Sequence, residues 1–184
     1  PYFNNFIKKI PNMKALSKCD EKKILKLWEG LGYYRRAKNL HKTSKILMDK
    51  YKGDIPKSFD KLKELPGIGD YTANILLALI YNQPRIGLDG NVKRVLFRLF
   101  NKDNFDLENL FKTKRNNSLA EALIEFGALI CRPKEPKCNE CNIRKICSSY
   151  KSGLKIKSKK KIKIKVKNYD IFCYLKKNKK QIAL

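Results

Sequence analysis

Four of the six cysteines, Cys131, Cys138, Cys141 and Cys147, fall within seventeen residues at the spacing C-x6-C-x2-C-x5-C. Such clustering is hard to obtain from unrelated thiols. With no secretory signal pattern in the chain, a disulfide framework is not expected and the cluster reads as a metal site. Four thiolates suit zinc or a 4Fe-4S cluster, and the x2 pair is compatible with either. The wide first gap fits zinc-ribbon spacing poorly. Arg132, Lys134, Lys137, Arg144 and Lys145 lie between the outer cysteines. A metal-braced loop of this composition presents cations to phosphate.

Charge points the same way. Lys plus Arg number 43 against 17 Asp plus Glu, for a net charge of +26 at pH 7. A field this basic needs an anionic partner, and nucleic acid is the first choice. Thirty-five of the 43 are Lys and only eight are Arg, in a chain also rich in Asn and Ile. An AT-biased genome yields the same profile, so charge alone leaves an anionic membrane surface open. No apolar run approaches the ~20 residues of a membrane span, which excludes an integral membrane protein built of helices. With 42% hydrophobic residues the chain can bury a core. Residues 1–150 carry 30 basic and 16 acidic groups, whereas 151–184 carry 13 Lys and one acid, Asp170. The composition shift near Lys151 marks a domain boundary.

Residues 1–150 read as helices joined by short turns. One helix is expected over Tyr2 to Lys9, stopping before Pro11. Asp20 and Glu21 supply cap chemistry for a second through Ile24 and Trp28. Gly30-Leu31-Gly32 breaks it. A third carries Ala37, Leu40, Ile46 and Leu47 and ends near Gly53. A short helix, Phe59 to Glu64, leads into Leu65-Pro66-Gly67-Ile68-Gly69, and an apolar helix runs from Asp70 to about Tyr81. Asp89 opens another with Val92, Val95, Leu96 and Leu99 on one face. Asn117-Ser118 starts the last long one. No strand is expected before residue 160, so this part is predicted all-α. Residues 151–167, with nine Lys, read as a solvated linker. Tyr169 to Leu175, a turn at Lys176 to Lys180, and Gln181 to Leu184 read as a first β-hairpin of a second domain.

Two segments carry candidate chemistry. The glycines of Leu65-Pro66-Gly67-Ile68-Gly69 allow close backbone approach, and the free N–H groups of the following helix make an anion site. A plain αα turn is the alternative, and Asp70 as an N-cap would weaken anion binding. In Ile86-Gly87-Leu88-Asp89-Gly90-Asn91 a single carboxylate sits between apolar residues and glycines. Either it caps the next helix, or it faces a cleft where it stabilises a cationic sugar-like transition state. Glycosidic cleavage usually needs a second carboxyl group, and neither Glu64 nor Glu29 is positioned to be one. His41, the only histidine, is expected on a helix face rather than in catalysis.

Taken in order, Gly30-Leu31-Gly32-Tyr33-Tyr34, Arg36-Ala37-Lys38-Asn39-Leu40, Leu65-Pro66-Gly67-Ile68-Gly69, Leu88-Asp89-Gly90-Asn91-Val92-Lys93-Arg94-Val95 and the four-cysteine spacing resemble the MutY-type adenine DNA glycosylases of the helix–hairpin–helix superfamily. The resemblance covers residues 1–150 and extends weakly to 168–184, which are similar to the start of that family's Nudix-like domain. It implies an all-α glycosylase core at 1–150 with a 4Fe-4S cluster held by Cys131, Cys138, Cys141 and Cys147 in the loop 131–147. A linker at 151–167 and the Nudix-like start at 168–184 follow.

The same resemblance implies a role for each matched position. Asp89 stabilises the oxocarbenium-like sugar, with Tyr71 and Asn91 beside it in the pocket. Tyr33 is an aromatic wedge, and Tyr34, Pro66, Gly67, Gly69 and Lys93 join it in contacting DNA. The implied substrate is double-stranded DNA with adenine mispaired with 8-oxoguanine or guanine, and the implied enzyme is a cytoplasmic, nucleoid-associated monomer with no membrane partner. Endonuclease-III-type relatives carry a nucleophilic Lys where this chain has Tyr71, so a monofunctional glycosylase is implied. The family's catalytic Glu lies ahead of the position matching Pro1. The chain is therefore expected to be a piece truncated at both ends and nearly inactive alone. The alternatives are an endonuclease-III-like lyase and a non-catalytic, metal-braced DNA-binding module.

Overall fold

The computed structural model describes residues 1–102 and 113–153, and the backbone of 174–175 and 182–183. Helices α1 (Tyr2–Lys9), α2 (Met13–Lys18) and α3 (Glu21–Leu27) open the chain. Helices α4 (Arg35–Tyr51), α5 (Phe59–Lys63), α6 (Asp70–Tyr81), α7 (Gly90–Phe100) and α8 (Asn116–Leu129) form its body. Two 3-10 turns, Cys138–Glu140 and Arg144–Ile146, and a last helix α9 (Ser148–Lys151) follow. No strand occurs among the described residues up to 153. Beyond them, Tyr174–Leu175 pairs antiparallel with Ile182–Ala183, Tyr174 opposite Ala183. The expected linker lies largely outside the described residues.

Helix starts follow cap chemistry. The Asn12 side chain accepts from Ala15 N at 2.8 Å, and that of Asp20 from Lys22 N at 3.3 Å. Helix α2 is absent from the sequence reading, because six residues carry too little apolar period to betray it. Asp70 is no N-cap. Gly69 holds that position, and Asp70 forms an ion pair with Lys63 instead. Helix α6 ends at Asn82 in the left-handed conformation (φ 52°), and the Asn82 Oδ1 accepts from Asn117 N at 3.0 Å at the start of α8. One residue thus ends one helix and caps the next. The buried Asn116 donates back to Asn82 O at 2.8 Å.

Three apolar clusters hold these helices. Ile10, Leu16, Ile24 and Ala37 join α1 to α4, with Phe6 and Trp28 against them. Leu47, Leu62, Leu65, Ala73 and Leu77 join α4, α5 and α6. Ile86, Val92 and Leu96 pack with Leu119, Leu123 and Ile124 between α7 and α8. Each fully buried Leu or Ile contributes about 1.5–3 kcal/mol. Helix α4 belongs to two clusters, so the loop before it and the hairpin beside it share one rigid support. His41 lies on α4, but buried, at 3% exposure, and its Nε2 has no hydrogen-bond partner among the described residues.

Candidate active site and nucleic-acid interface

The hairpin is fixed from behind. Leu65 is buried and Ile68 packs on the same cluster. From α4 the Thr43 hydroxyl donates to Pro66 O at 3.0 Å. Gly67 has φ +81°, and a Cβ there would come within 2.7–2.9 Å of the Asn39 side chain. Gly69 differs: its backbone is extended, and a Cβ would meet nothing within 4 Å. It caps α6 with no side chain over the helix end, so the first N–H groups of a twelve-residue helix face outward beside exposed backbone. Pro66 is half-buried, and Gly67 and Gly69 are exposed.

Asp89 does two things at once. Its Oδ1 accepts from Val92 N at 2.7 Å, so it caps α7, and its Oδ2 accepts from Asn91 Nδ2 at 3.3 Å. It is half-buried rather than sealed in. Tyr71, on the first turn of α6, stands next to it. Burial, and then the Asp89 charge, push the Tyr71 phenol above its ordinary pKa. Gly87 makes that approach possible, since a Cβ there would fall 2.3 Å from Ile75 Cγ1 and 2.7 Å from Tyr71 Cε2. Lys93 is exposed on the next turn of α7.

Behind Asp89 two arginines at i and i+4 on α7 tie the carboxylate loop to the cysteines. Arg94 Nη2 donates to Asn91 Oδ1 at 2.9 Å and to Gly127 O at 2.6 Å, and Arg94 Nε donates to Cys131 O at 2.9 Å. Arg98 is buried; it donates to Arg132 O at 2.7 Å and Pro133 O at 2.9 Å, and its Nη1 lies 3.3 Å from Cys131 Sγ. The Cys147 thiol donates to Arg98 O at 3.3 Å. Sequence reasoning missed both arginines. The available signal was an i, i+4 Arg pair in a Lys-rich chain, where a planar fork serves several carbonyls and an ammonium does not.

Cys131, Cys138, Cys141 and Cys147 line a single cavity of about 310 Å³ with Val95, Arg98 and Phe126. Burial, then Cys141, Cys131 and Cys147, raise the Cys138 thiol pKa, and Arg98 opposes them. The four thiols line this one cavity, although among the described residues no three His, Cys, Asp or Glu side chains are grouped closely enough to hold a metal ion. Tyr33 projects from the loop after Gly30–Gly32 at 83% exposure, and Tyr34 beside it is 45% exposed.

A glycine hairpin whose helix end is open to an anion, a capped carboxylate one helix away and a basic loop with four cysteines define a helix–hairpin–helix protein of the DNA-repair class. The model of the HhH-GPD superfamily of base excision DNA repair proteins matches residues 1–121, and the chain belongs to that superfamily, in its MutY type. The adenine DNA glycosylase of Buchnera aphidicola subsp. Baizongia pistaciae is 42% identical over 192 residues, covering 99% of this chain and 50% of the relative. A solved structure of a thermostable thymine-DNA glycosylase superposes with a TM-score of 0.70 at 27% identity, covering 82% of this chain and 75% of that one. A trapped covalent intermediate of endonuclease III with DNA gives 0.68 at 26%, covering 83% and 76%. The chain spans about half the length of the curated relatives it matches. No helix among the described residues is long and apolar enough to cross a membrane.

Proposed function

We propose that this chain is the core of a base-excision repair glycosylase that hydrolyses the N-glycosidic bond of adenine mispaired with 8-oxoguanine or guanine in double-stranded DNA, acting as a monomer close to the nucleoid. The observation that carries the reading is Asp89: a carboxylate half-open to solvent, held by Val92 N and Asn91 Nδ2 and bordered by a phenol rather than an amine. Substrate enters by base flipping, since the reacting bond is out of reach inside the duplex. Phosphates dock on the open end of α6 past Gly67 and Gly69, with Lys93 adding charge. Tyr33 fills the gap left in the stack, and Tyr34 flanks it.

The Asp89 carboxylate then stabilises the sugar cation as the base leaves. Its two hydrogen bonds fix its direction without neutralising it, and Asn91 is fixed in turn by Arg94. Tyr71 stays a neutral phenol, so it borders the cation without adding charge of its own. Protonation of the departing adenine needs a general acid, a role that none of the residues named here fills. Cys131, Cys138, Cys141 and Cys147 suit a 4Fe-4S cluster by their chemistry: the donor set is four thiols on one cavity. When bound, such a group braces the loop that carries Arg132, Lys134, Lys137, Arg144 and Lys145. Residues 1–150 form this core, with 151–167 as linker and 168–184 as the start of a Nudix-like domain.

Asp89→Asn in the full-length, cluster-loaded protein tests the reading. Adenine release in single turnover is expected to fall by at least about a thousandfold, with affinity for mispaired duplex retained. Wild-type turnover by that variant refutes the assignment. The likeness to the endonuclease III intermediate favours one other reading, a lyase that forms a Schiff base. Borohydride trapping of a protein–DNA adduct supports the lyase, and its absence alongside base release supports hydrolysis alone.

A further inference from the structure

Arg36, on the first turn of α4, lies with its guanidinium carbon 5.7 Å from the centre of the Trp28 ring and 5.5 Å from that of Tyr33. It is a cation between two aromatic faces, both inside the range where such attraction counts. The loop is pinned at two more points. Trp28 Nε1 donates to Gly32 O at 3.1 Å, and Arg36 N donates to Tyr33 O at 2.8 Å. Tyr33 itself sits at φ +48°, a left-handed conformation that an aromatic residue adopts only when its surroundings enforce it. A side chain 83% exposed has no packing of its own to enforce anything. Its one ring contact among those described is Arg36.

We propose that Arg36 is a positioning residue for DNA engagement: it stacks between Trp28 and Tyr33 and holds the Tyr33 ring outward before DNA arrives. This rests on the reading of Tyr33 as the residue that enters the base stack. A ring on a freely rotating χ1 loses that freedom on insertion, whereas a ring already stacked has lost it beforehand. Trp28 supplies the fixed end of the stack, since it packs on Phe6 in the first apolar cluster, edge to face at 6.1 Å. Arg36 therefore acts on mispair recognition through Tyr33 rather than by contact of its own.

A double-mutant cycle separates those two routes. The full-length, cluster-loaded protein binds duplexes carrying non-cleavable 2′-fluoroadenosine opposite guanine, with 2-aminopurine beside the mispair, and a matched control. The readouts are the ratio of mispaired to matched affinity and the rise in 2-aminopurine fluorescence as the stack opens. Arg36→Met is expected to lower the ratio by about threefold to fivefold and to blunt the fluorescence rise. Arg36→Lys, which keeps the charge but not the planar fork, is expected to fall between Met and wild type. In a Tyr33→Leu background, Arg36→Met is expected to add no further loss. Losses that simply add overturn the proposal, because Arg36 then works independently of the ring; so does an Arg36→Met ratio equal to wild type. If Tyr33→Leu alone leaves the ratio unchanged, the reading of Tyr33 fails and the inference with it, a result distinct from the others. Should Arg36→Met melt early, the Lys variant in both backgrounds gives the same cycle.

Discussion

Gly127→Ala sets two well-known effects against each other at one buried position. Gly127 lies inside α8, where alanine is favoured over glycine by about 0.5–1 kcal/mol. Against this, its Cβ would stand 2.9 Å from Asn91 Cβ and 3.3 Å from both Asn91 C and Asn91 O. Carbon atoms prefer about 3.5–4.0 Å. Two of the three atoms are backbone, so no rotamer change relieves the crowding and α7 and α8 must part by about half an ångström. Overpacking of this kind costs about 1–3 kcal/mol. The clash therefore matches or outweighs the helix gain, for a net loss of up to about 2.5 kcal/mol. The same movement pulls Arg94 off Gly127 O, the bond that crosses to α8, and the turn of α7 that carries Asn91 and Asp89 shifts with it. Since a 1 Å misplacement near reacting groups costs up to about a hundredfold, single-turnover adenine release is expected to fall about tenfold. Urea midpoints at unchanged m-value measure the first effect, and quenched-flow or manual quench assays the second. A variant that is more stable than wild type by about 0.5–1 kcal/mol and equally active refutes both the packing argument and the link from α8 to Asp89.

The two hairpin glycines are expected to respond differently. Gly67→Ala meets a left-handed backbone and the Asn39 side chain and is expected to destabilise by about 1–3 kcal/mol; Gly69→Ala, with open space around its Cβ, should cost at most about 1 kcal/mol, the cap preference, yet weaken duplex binding by intruding on the phosphate. Thermal melts beside filter-binding curves distinguish them, and equal effects on stability and binding at both sites count against the anion-site reading. The Tyr71 phenol gives a pH test. Its folded pKa lies above the unfolded value of about 10, so its contribution to stability holds below about pH 10 and is lost as pH rises through the folded value. In Asp89→Asn the Tyr71 midpoint, followed by NMR of labelled tyrosine ring carbons, is expected to fall partway back, because burial, the larger cause, remains. A Tyr71 that titrates at or below an ordinary tyrosine contradicts the geometry.

Much of the fold was legible because its signals are local. Asp20 and Asp89 announce helix starts by capping, and the spans over Tyr2–Lys9 and Asp70–Tyr81 follow from apolar period and punctuation. What was not legible depends on residues far apart in sequence meeting in space. Nothing near Thr43 says that its hydroxyl will hold Pro66 O, twenty-three residues on. Nothing near Gly87 or Gly127 says that a helix will come within a Cβ's reach. Asp89 illustrates the divide within one side chain. Its cap role could be read from its neighbours alone, whereas its place beside Tyr71 required α6 to be packed against the loop.

The arginines carry this point furthest. A chain with thirty-five lysines and eight arginines has evidently been pushed towards Lys wherever either residue serves. Six of the eight arginines that remain mark positions where the guanidinium's shape is used. Arg36 lies between two rings, Arg85 over Phe59 with Asn74 Oδ1 at 3.2 Å, and Arg94 and Arg98 bridge carbonyls of three segments. Arg132 and Arg144 donate to Glu135 O and Asn139 O inside the cysteine loop. Each of these uses planar stacking, several donors in a fixed fork, or a reach to backbone that a hydrated ammonium performs poorly. Lys38 and Lys137, by contrast, make exposed ion pairs of the kind worth little. In this composition an Arg is therefore a better guide to structure than a Lys is to binding, and the net charge of +26 says less about the DNA interface than the few guanidinium groups say about what holds it in place.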